Sequence, residues 1–480
     1  IAKLVFASLV GAGLFAGMNV QAAQKAAAAS KPGKAAIASS HQLATDAGLE
    51  ILAKGGNAFD AAIAVGAALA VVEPESSGLG GGGFFLLHRV KDGKDIFIDA
   101  REAAPAASRS ELWADADGKL DSDKATNGPL SAGIPGEPAA YVWLAEHYGK
   151  LPLKASLAPA IRIAREGFSV YSRLHRSIDR RSAVLSRWPA SVQLYLVDGK
   201  APEAGSTWRN PDIANTLERI ARHGNDGFYR GEFASKLVDS VRASGGIWTL
   251  EDLDSYVVKE RAPITLDYRG WKILTAPPPS SGGIVLGEML NMLAGYDLAK
   301  LDQVHRVHLS VEAMRRAYRD RAEYLGDPDY VEMPINELLS PLYAAGLRAS
   351  IHPEKATPSD LLPGYMPPGE PEHTTHYSII DADGNMASVT KTVNLTLGSG
   401  FVVEGTGFVL NDEMDDFALL PGQANAFGLV GGEANAPKAG RRPLSSMTPS
   451  MVIGEDRVGV IGTPGGSRII NYVARTLHAL

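Results

Sequence analysis

The alternation of apolar and polar positions divides the chain into helical and extended blocks. His41–Lys54 carries apolar residues at helical spacing (Leu43, Ala47, Ile51) and stops at Gly55-Gly56, a C-terminal helix signal. Asn57 follows as an N-cap, with Asp60 three positions on as in a capping box. The next segment, Ala58–Val72, is apolar nearly all round, which predicts a buried helix that Pro74 ends. Phe84–Leu87 and Asp95–Asp99 read as strands joined by a turn at 91–94. From Glu137 to about Val257 the pattern is mainly helical. A strand at Trp271–Leu274 leads through Pro277–Gly283 into another helix, and Val304–Leu325 reads as a long helix bearing Arg315, Arg316, Arg319 and Arg321.

The pattern then breaks. Residues 352–373 contain six prolines, at 353, 358, 363, 367, 368 and 371, which predicts an extended surface linker. After it Thr375–Ile380 and Met386–Asn394 alternate around a turn at 381–385, the signature of a hairpin. Further strands are expected at Phe408–Leu410, Ser450–Ile453 and Val458–Ile461. No internal repeat is present, and helices with hairpins indicate an α+β layered fold with mainly antiparallel sheets.

Composition narrows the chemistry. The 480 residues carry a net charge of −7 and no long basic run, which argues against nucleic acid as a partner. The absence of cysteine removes disulfides, thiolate catalysis and Cys-ligated metals. Lys3, the apolar stretch Leu4–Met18 and the small residues ending at Ala22-Ala23 read as a secretory signal over 1–22, the alternative being a membrane anchor. The chain starts at Ile1 rather than Met, so the charged start of that signal is expected to be missing. No later segment has 18 uninterrupted apolar residues, so the mature protein is expected to be exported, periplasmic or secreted, with no stable membrane span.

Several motif matches fail on context. Gly78–Gly83 fits a Gly-x-Gly-x-x-Gly pattern, but a helix precedes it and a strand follows, the reverse of a dinucleotide site. Asp381, Asp383 and Asn385 resemble the start of a calcium loop, yet its twelfth position is Thr392. There is no His-Glu-x-x-His and no Gly-x-Ser-x-Gly. What remains is a linker running directly into Thr374-Thr375-His376-Tyr377-Ser378 at a strand start. A threonine hydroxyl needs a base beside it. An N-terminal threonine supplies one in its own α-amine, whose pKa of roughly 7.7–8 suits neutral pH. Cleavage of His373–Thr374 would create that amine; an ordinary strand threonine is the alternative.

The segments His373–Ser378 and Val389–Asn394 resemble the γ-glutamyltransferase family of N-terminal nucleophile hydrolases. So do Gly55–Ala62, Glu73–Gly82, Asp99–Pro105, Pro278–Gly283, Asp320–Pro328, Asn411–Phe417, Pro443–Met447 and Pro464–Arg468, in family order over about residues 38–475. The resemblance implies a four-layer αββα sandwich with two mainly antiparallel sheets between helical layers. It implies self-cleavage between His373 and Thr374 into a large subunit, 23–373, and a small one, 374–480, which together form a heterodimer. It implies γ-glutamyl transfer from glutathione and related compounds to water or to amino acid or peptide acceptors, with no cofactor and no metal.

Residue by residue, Thr374 matches the nucleophile and Thr392 a second threonine hydrogen-bonded to it. Gly465 and Gly466 match the oxyanion-hole pair. Arg101, Ser445 and Ser446 match the ligands of the donor's α-carboxylate, and Glu413, Asp416 and Asn394 the positions that hold its α-ammonium. Without the resemblance, Arg101 reads as a surface ion pair with a neighbour such as Asp99, and the acids as a solvated loop. The serines and glycines then read as turns. Residues 421–436 resemble a lid loop, with Phe427 where a Tyr is often found, and Glu413 stands where some members have Gln. Family chains continue several tens of residues past the position of Leu480, so a truncated small subunit is expected. Two rivals remain: a related β-lactam (glutaryl or cephalosporin) acylase, and an exported binding protein that never matures.

Overall fold

A computed structural model describes residues 32–362 and 374–479. The signal segment, the 363–373 part of the linker, His373 and Leu480 therefore lie outside the described residues.

Two antiparallel sheets organise the molecule. The first has six strands in the spatial order Ala36–Ala38, Thr375–Ile380, Met386–Thr392, Gly82–Arg89, Lys94–Ala100, Lys259–Arg261. The second has four, in the order Val458–Ile461, Ser450–Ile453, Trp271–Thr275, Ile264–Tyr268. Period-two alternation sorts the side chains of the first sheet. Phe85, Leu87, Ile98, Val389, Tyr377 and Ile379 pack into one core with the helices Gln42–Ala53, Ala58–Val72 and Leu153–Glu166. Their neighbours Phe84, Leu86, Phe97 and Met386 pack the other way, with Ile273, Leu274, Met451 and Val452 of the second sheet. That second core continues into the helices Gly282–Leu293, Gln303–Tyr324 and Ile469–His478. The result is the expected αββα layering.

Local signals account for the central helix. All fifteen residues of Ala58–Val72 are buried, and Asn57 caps it. The Asn57 side chain accepts from the amides of Phe59 and Asp60, while Asp60 accepts from the Asn57 amide. Small side chains on this helix let the sheet approach closely: Tyr377 donates to the Ala62 carbonyl and Lys391 to that of Gly66.

Two expectations need correction. Phe408–Leu410 is not a strand; Val409 makes only an isolated bridge to Val402. The carbonyl of Leu410 is instead taken up by Ser399, and Asn411 turns back to Gly80, so no ladder can extend. The first half of the proline-rich stretch is also not a free linker. Glu312 accepts from both the amide and the hydroxyl of Thr357, and Arg315 donates to the Thr357 carbonyl, which ties that segment to the long helix.

The glycine run 78–83 is the tight buried turn its context indicated. A Cβ on Gly80 would lie 2.0 Å from the Val409 carbonyl oxygen, and one on Gly81 2.1 Å from that of Thr392. Gly81 thus sets how closely the end of the 386–392 strand can be approached. Gly81→Ala is expected to lower stability by about 1–3 kcal/mol through forced backbone displacement. Thermal unfolding checks this, and an unchanged melting temperature would refute the packing argument.

Candidate active site

Thr374 immediately precedes the strand Thr375–Ile380, second from the edge of the six-stranded sheet. The register pairs Lys391 with Thr375 and Thr390 with His376, so one further step sets Thr374 opposite Thr392. Their hydroxyl oxygens are 3.5 Å apart. Thr392 Oγ1 also accepts from the Asn394 amide at 2.8 Å, which orients it. Thr374, His376, Thr390 and Thr392 share the face turned toward the second sheet. His376 bridges Thr390 and Ser378, and burial lowers its pKa to about 3, so it is a neutral structural link.

Thr374 lines a small cavity together with Arg101, Glu413, Asp416, Ser445 and Ser446. Thr392, Asn394, Phe427 and Gly466 also line it. Gly465 is not among the lining residues, although both glycines have positive φ (137° and 48°) that disfavours other residues. Thr374 also lines a second cavity of about 550 Å³, with Ser40, Glu73 and Arg173 in its wall.

Arg101 is neither at the surface nor paired with the Asp99 side chain as a surface ion. It is wholly buried. Its backbone amide donates to Asp99, while its guanidinium donates to Glu413 and Asp416 and to the Pro443 carbonyl. The acids are likewise no solvated loop, since Glu413 is 1% exposed. Asn411 holds them in place: its side chain donates to the carbonyls of Gly80 and Gly133 and accepts from the Glu413 amide. Asn394 has φ 78°, a left-handed conformation that Asn tolerates, and its side chain donates to the Asp412 carbonyl. Residues 421–436 fold over this group. Asp415 accepts from the Ala426 amide, Asn435 donates to the Asp416 carbonyl, and Phe427 is buried against the cavity.

Burial dominates the electrostatics. It raises Glu413 to about 7 although Arg101 pulls it down, and it raises Asp416 against the same pull. Asp415 is pushed up to about 8 by burial and by Asp416. For Arg101, burial opposes the charge, but Glu413, Asp416 and Glu102 together hold it charged.

Sequence reading missed two buried groups here. Glu102 lies behind Arg101, 3.6 Å from its guanidinium, with burial raising its pKa far above the usual range. Arg321 reaches Ser281 and Ser446 from the long helix. Its signal was present: Leu309, Ala313, Ala317 and Arg321 recur at four-residue steps, which puts Arg321 on the buried face. Among the described residues no cluster of three or more His, Asp or Glu could hold a metal ion, and no helix is long and apolar enough to cross a membrane.

Two antiparallel sheets between helical layers, with a strand-leading threonine at the cavity, define an enzyme of the N-terminal nucleophile hydrolase fold. Comparison with known proteins makes the assignment specific. The family model described as gamma-glutamyltranspeptidase matches residues 44–480. A glutathione hydrolase proenzyme from Pseudomonas sp. (strain A14) is 43% identical over 479 residues, covering 99% of this chain and 82% of its own. The crystal structure of cephalosporin acylase from Bacillus halodurans superposes with a TM-score of 0.80 at 33% identity, covering 92% of this chain and 80% of its own. That of Helicobacter pylori gamma-glutamyltranspeptidase gives 0.66 at 36% identity, over 68% of this chain and 94% of its own. The chain belongs to the gamma-glutamyltranspeptidase family.

The charge group makes a prediction independent of catalysis. Arg101→Ala leaves Glu102, Glu413 and Asp416 buried without their counter-charge, at a cost of about 3–5 kcal/mol. Those carboxyls would then hold protons in the folded chain to higher pH than in the unfolded one. The variant's deficit should therefore grow as pH rises from about 5 to about 8. Urea unfolding at the two pH values checks this; an equal deficit at both would show that the loss is packing alone.

Proposed function

We propose that this chain is a self-processing γ-glutamyltransferase and glutathione hydrolase in which Thr374 is the nucleophile. The observation that carries the reading is the buried Arg101 set against Glu413 and Asp416 in the cavity that Thr374 lines. A γ-glutamyl donor presents an α-carboxylate and an α-ammonium on one carbon. A guanidinium fork suits the first and paired carboxylates suit the second.

Maturation and turnover use the same chemistry. In the precursor the Thr374 hydroxyl adds to the His373 carbonyl, the C–N bond breaks as the acyl group shifts from nitrogen to oxygen, and water hydrolyses the ester. The products are a carboxylate at His373 and a free amine on Thr374. That amine then takes the proton of the Thr374 hydroxyl as its oxygen attacks the γ-carbonyl of the donor. Thr392 stays within hydrogen-bond reach of the nucleophile oxygen and donates to it once its proton has gone to the amine, and Gly465 and Gly466 supply backbone N–H groups to the oxyanion. The leaving amine departs with a proton and a γ-glutamyl ester remains on Thr374. Water or an acceptor amine releases it. Arg101, Ser445 and Ser446 hold the α-carboxylate; Glu413, Asp416 and Asn394 hold the ammonium, with Phe427 closing over them. The fragments up to His373 and from Thr374 stay together as a heterodimer. The apolar segment 4–18 supports export, to the periplasm or the medium.

A glutaryl donor is the second reading, favoured by the structural likeness to a cephalosporin acylase. It lacks the α-ammonium and would offer Glu413 and Asp416 no cation beyond Arg101.

Two experiments test these statements. Thr374→Ala should migrate as one uncut chain on a denaturing gel and show no acyl transfer; a cut chain would sink self-cleavage by Thr374. The wild-type protein should hydrolyse γ-glutamyl-p-nitroanilide in preference to glutaryl-p-nitroanilide by at least about tenfold in kcat/KM, since charged hydrogen bonds contribute roughly 1.5–3 kcal/mol. A preference for glutaryl would replace the donor assignment with the acylase reading.

A further inference from the structure

Arg321 stands behind the serine pair with a role that the catalytic scheme above does not use. It projects from the helix Gln303–Tyr324, is fully buried, and forms no ion pair among the described residues. A buried guanidinium with no carboxylate at ion-pair distance, only the charge of Asp416 further off, is costly, so its hydrogen-bond partners carry the information. Nε donates to Ser281 Oγ at 3.0 Å, and Nη2 lies 3.5 Å from Ser446 Oγ. Ser281 in turn donates its own hydroxyl proton to the Ser445 carbonyl at 2.7 Å, and its amide donates to the same carbonyl at 2.8 Å.

Guanidinium has only donors. Facing it, Ser281 Oγ and Ser446 Oγ must both act as acceptors. The Ser281 proton is committed to Ser445, so the 445–446 backbone is clamped. The Ser446 proton must point away from Arg321, and Ser446 lines the cavity that holds Arg101. Ser445 Oγ accepts from the Met447 amide at 3.1 Å, which turns its proton outward in the same way. The positive charge behind the pair favours an anion in front of it.

We propose that Arg321 is a specificity-determining positioning residue, which through Ser281 and Ser446 fixes the serine pair as hydrogen-bond donors to the α-carboxylate of the acyl donor. This rests on the donor reading above. The α-carboxylate lies away from the reacting γ-carbonyl, so the effect is on binding and not on chemistry.

The test compares γ-glutamyl-p-nitroanilide with 4-aminobutyryl-p-nitroanilide, which keeps the amine and the scissile amide but lacks the carboxylate. In Arg321→Met, KM for the γ-glutamyl donor should rise about tenfold with kcat within about twofold, while the 4-aminobutyryl donor is unaffected. Arg321→Lys, which keeps the charge but not the fork, should fall between. Adding Ser446→Ala to Arg321→Met should cost less than Ser446→Ala costs in the wild-type protein, because the arginine acts in part through that hydroxyl. Equal losses for both donors, a fall in kcat at constant KM, or additive effects with Ser446→Ala would overturn the proposal. So would failure of both arginine variants to mature into two fragments on a gel, which would make Arg321 a folding residue. Failure of the wild-type protein to discriminate between the two anilides would instead refute the donor reading itself.

Discussion

The site depends first on the register of one strand pair. Thr375–Ile380 lies beside Met386–Thr392 with Lys391 opposite Thr375. A slip of one residue would turn every side chain of the first strand to the other face. Thr374 would then leave the cavity shared with Arg101, and Tyr377 would leave the central helix. Several observations hold the register. Tyr377 donates to Ala62, Lys391 donates to Gly66 and Glu137 behind the sheet, and Asp381 closes the turn by accepting from the amides of Asp383 and Asn385. Gly83 pairs with Lys391 and Gly82 with Thr392, where a side chain would collide with the backbone. Thr374 is placed by a strand of the sheet and not by a free loop.

Around that fixed point the protein assembles charges it would otherwise avoid burying. Arg101 comes from the end of Lys94–Ala100, and Glu413 and Asp416 from a short turn that Asn411 pins against the glycine run. Bringing an arginine and three carboxylates together without water is unfavourable unless they neutralise one another. Here they do so in part, and burial raises the pKa of each of the three acids above its ordinary value. On the proposed reading a zwitterionic donor would offer each sign a partner, so the arrangement that is costly to bury would favour a molecule with adjacent opposite charges.

Much of this was legible in the residues. The helix Ala58–Val72 with its capping box, the hairpin at 375–392 and the turn at 381–385 follow from period, caps and turn chemistry. Arg101, Glu413, Asp416, Ser445 and Ser446 were legible only through resemblance, because spacing says nothing about what a turn 312 positions away will face. The strand expected at 408–410 failed because side-chain and turn hydrogen bonds took its backbone groups, and propensity cannot see that competition. The short strands Ala36–Ala38 and Lys259–Arg261 were missed because three residues carry too little alternation to be read. Glu102 was missed because a buried carboxylate looks, in sequence, like any surface charge, whereas the four-residue apolar step that buries Arg321 was there to be read.

The topology also bears on what a cut before Thr374 would do. The strands Thr375–Ile380 and Met386–Thr392 are not at an edge; Ala36–Ala38 flanks them on one side and Gly82–Arg89 on the other. In the second sheet Ser450–Ile453 pairs directly with Trp271–Thr275. Both sheets are therefore built from segments before and after residue 374, and both hydrophobic cores draw on each. Breaking one peptide bond at the head of a strand removes none of those ladders. On the proposed mechanism such a cut would free the amine that the chemistry needs while these ladders go on holding Thr374 at the cavity, so activation would need no rebuilding of the sheets.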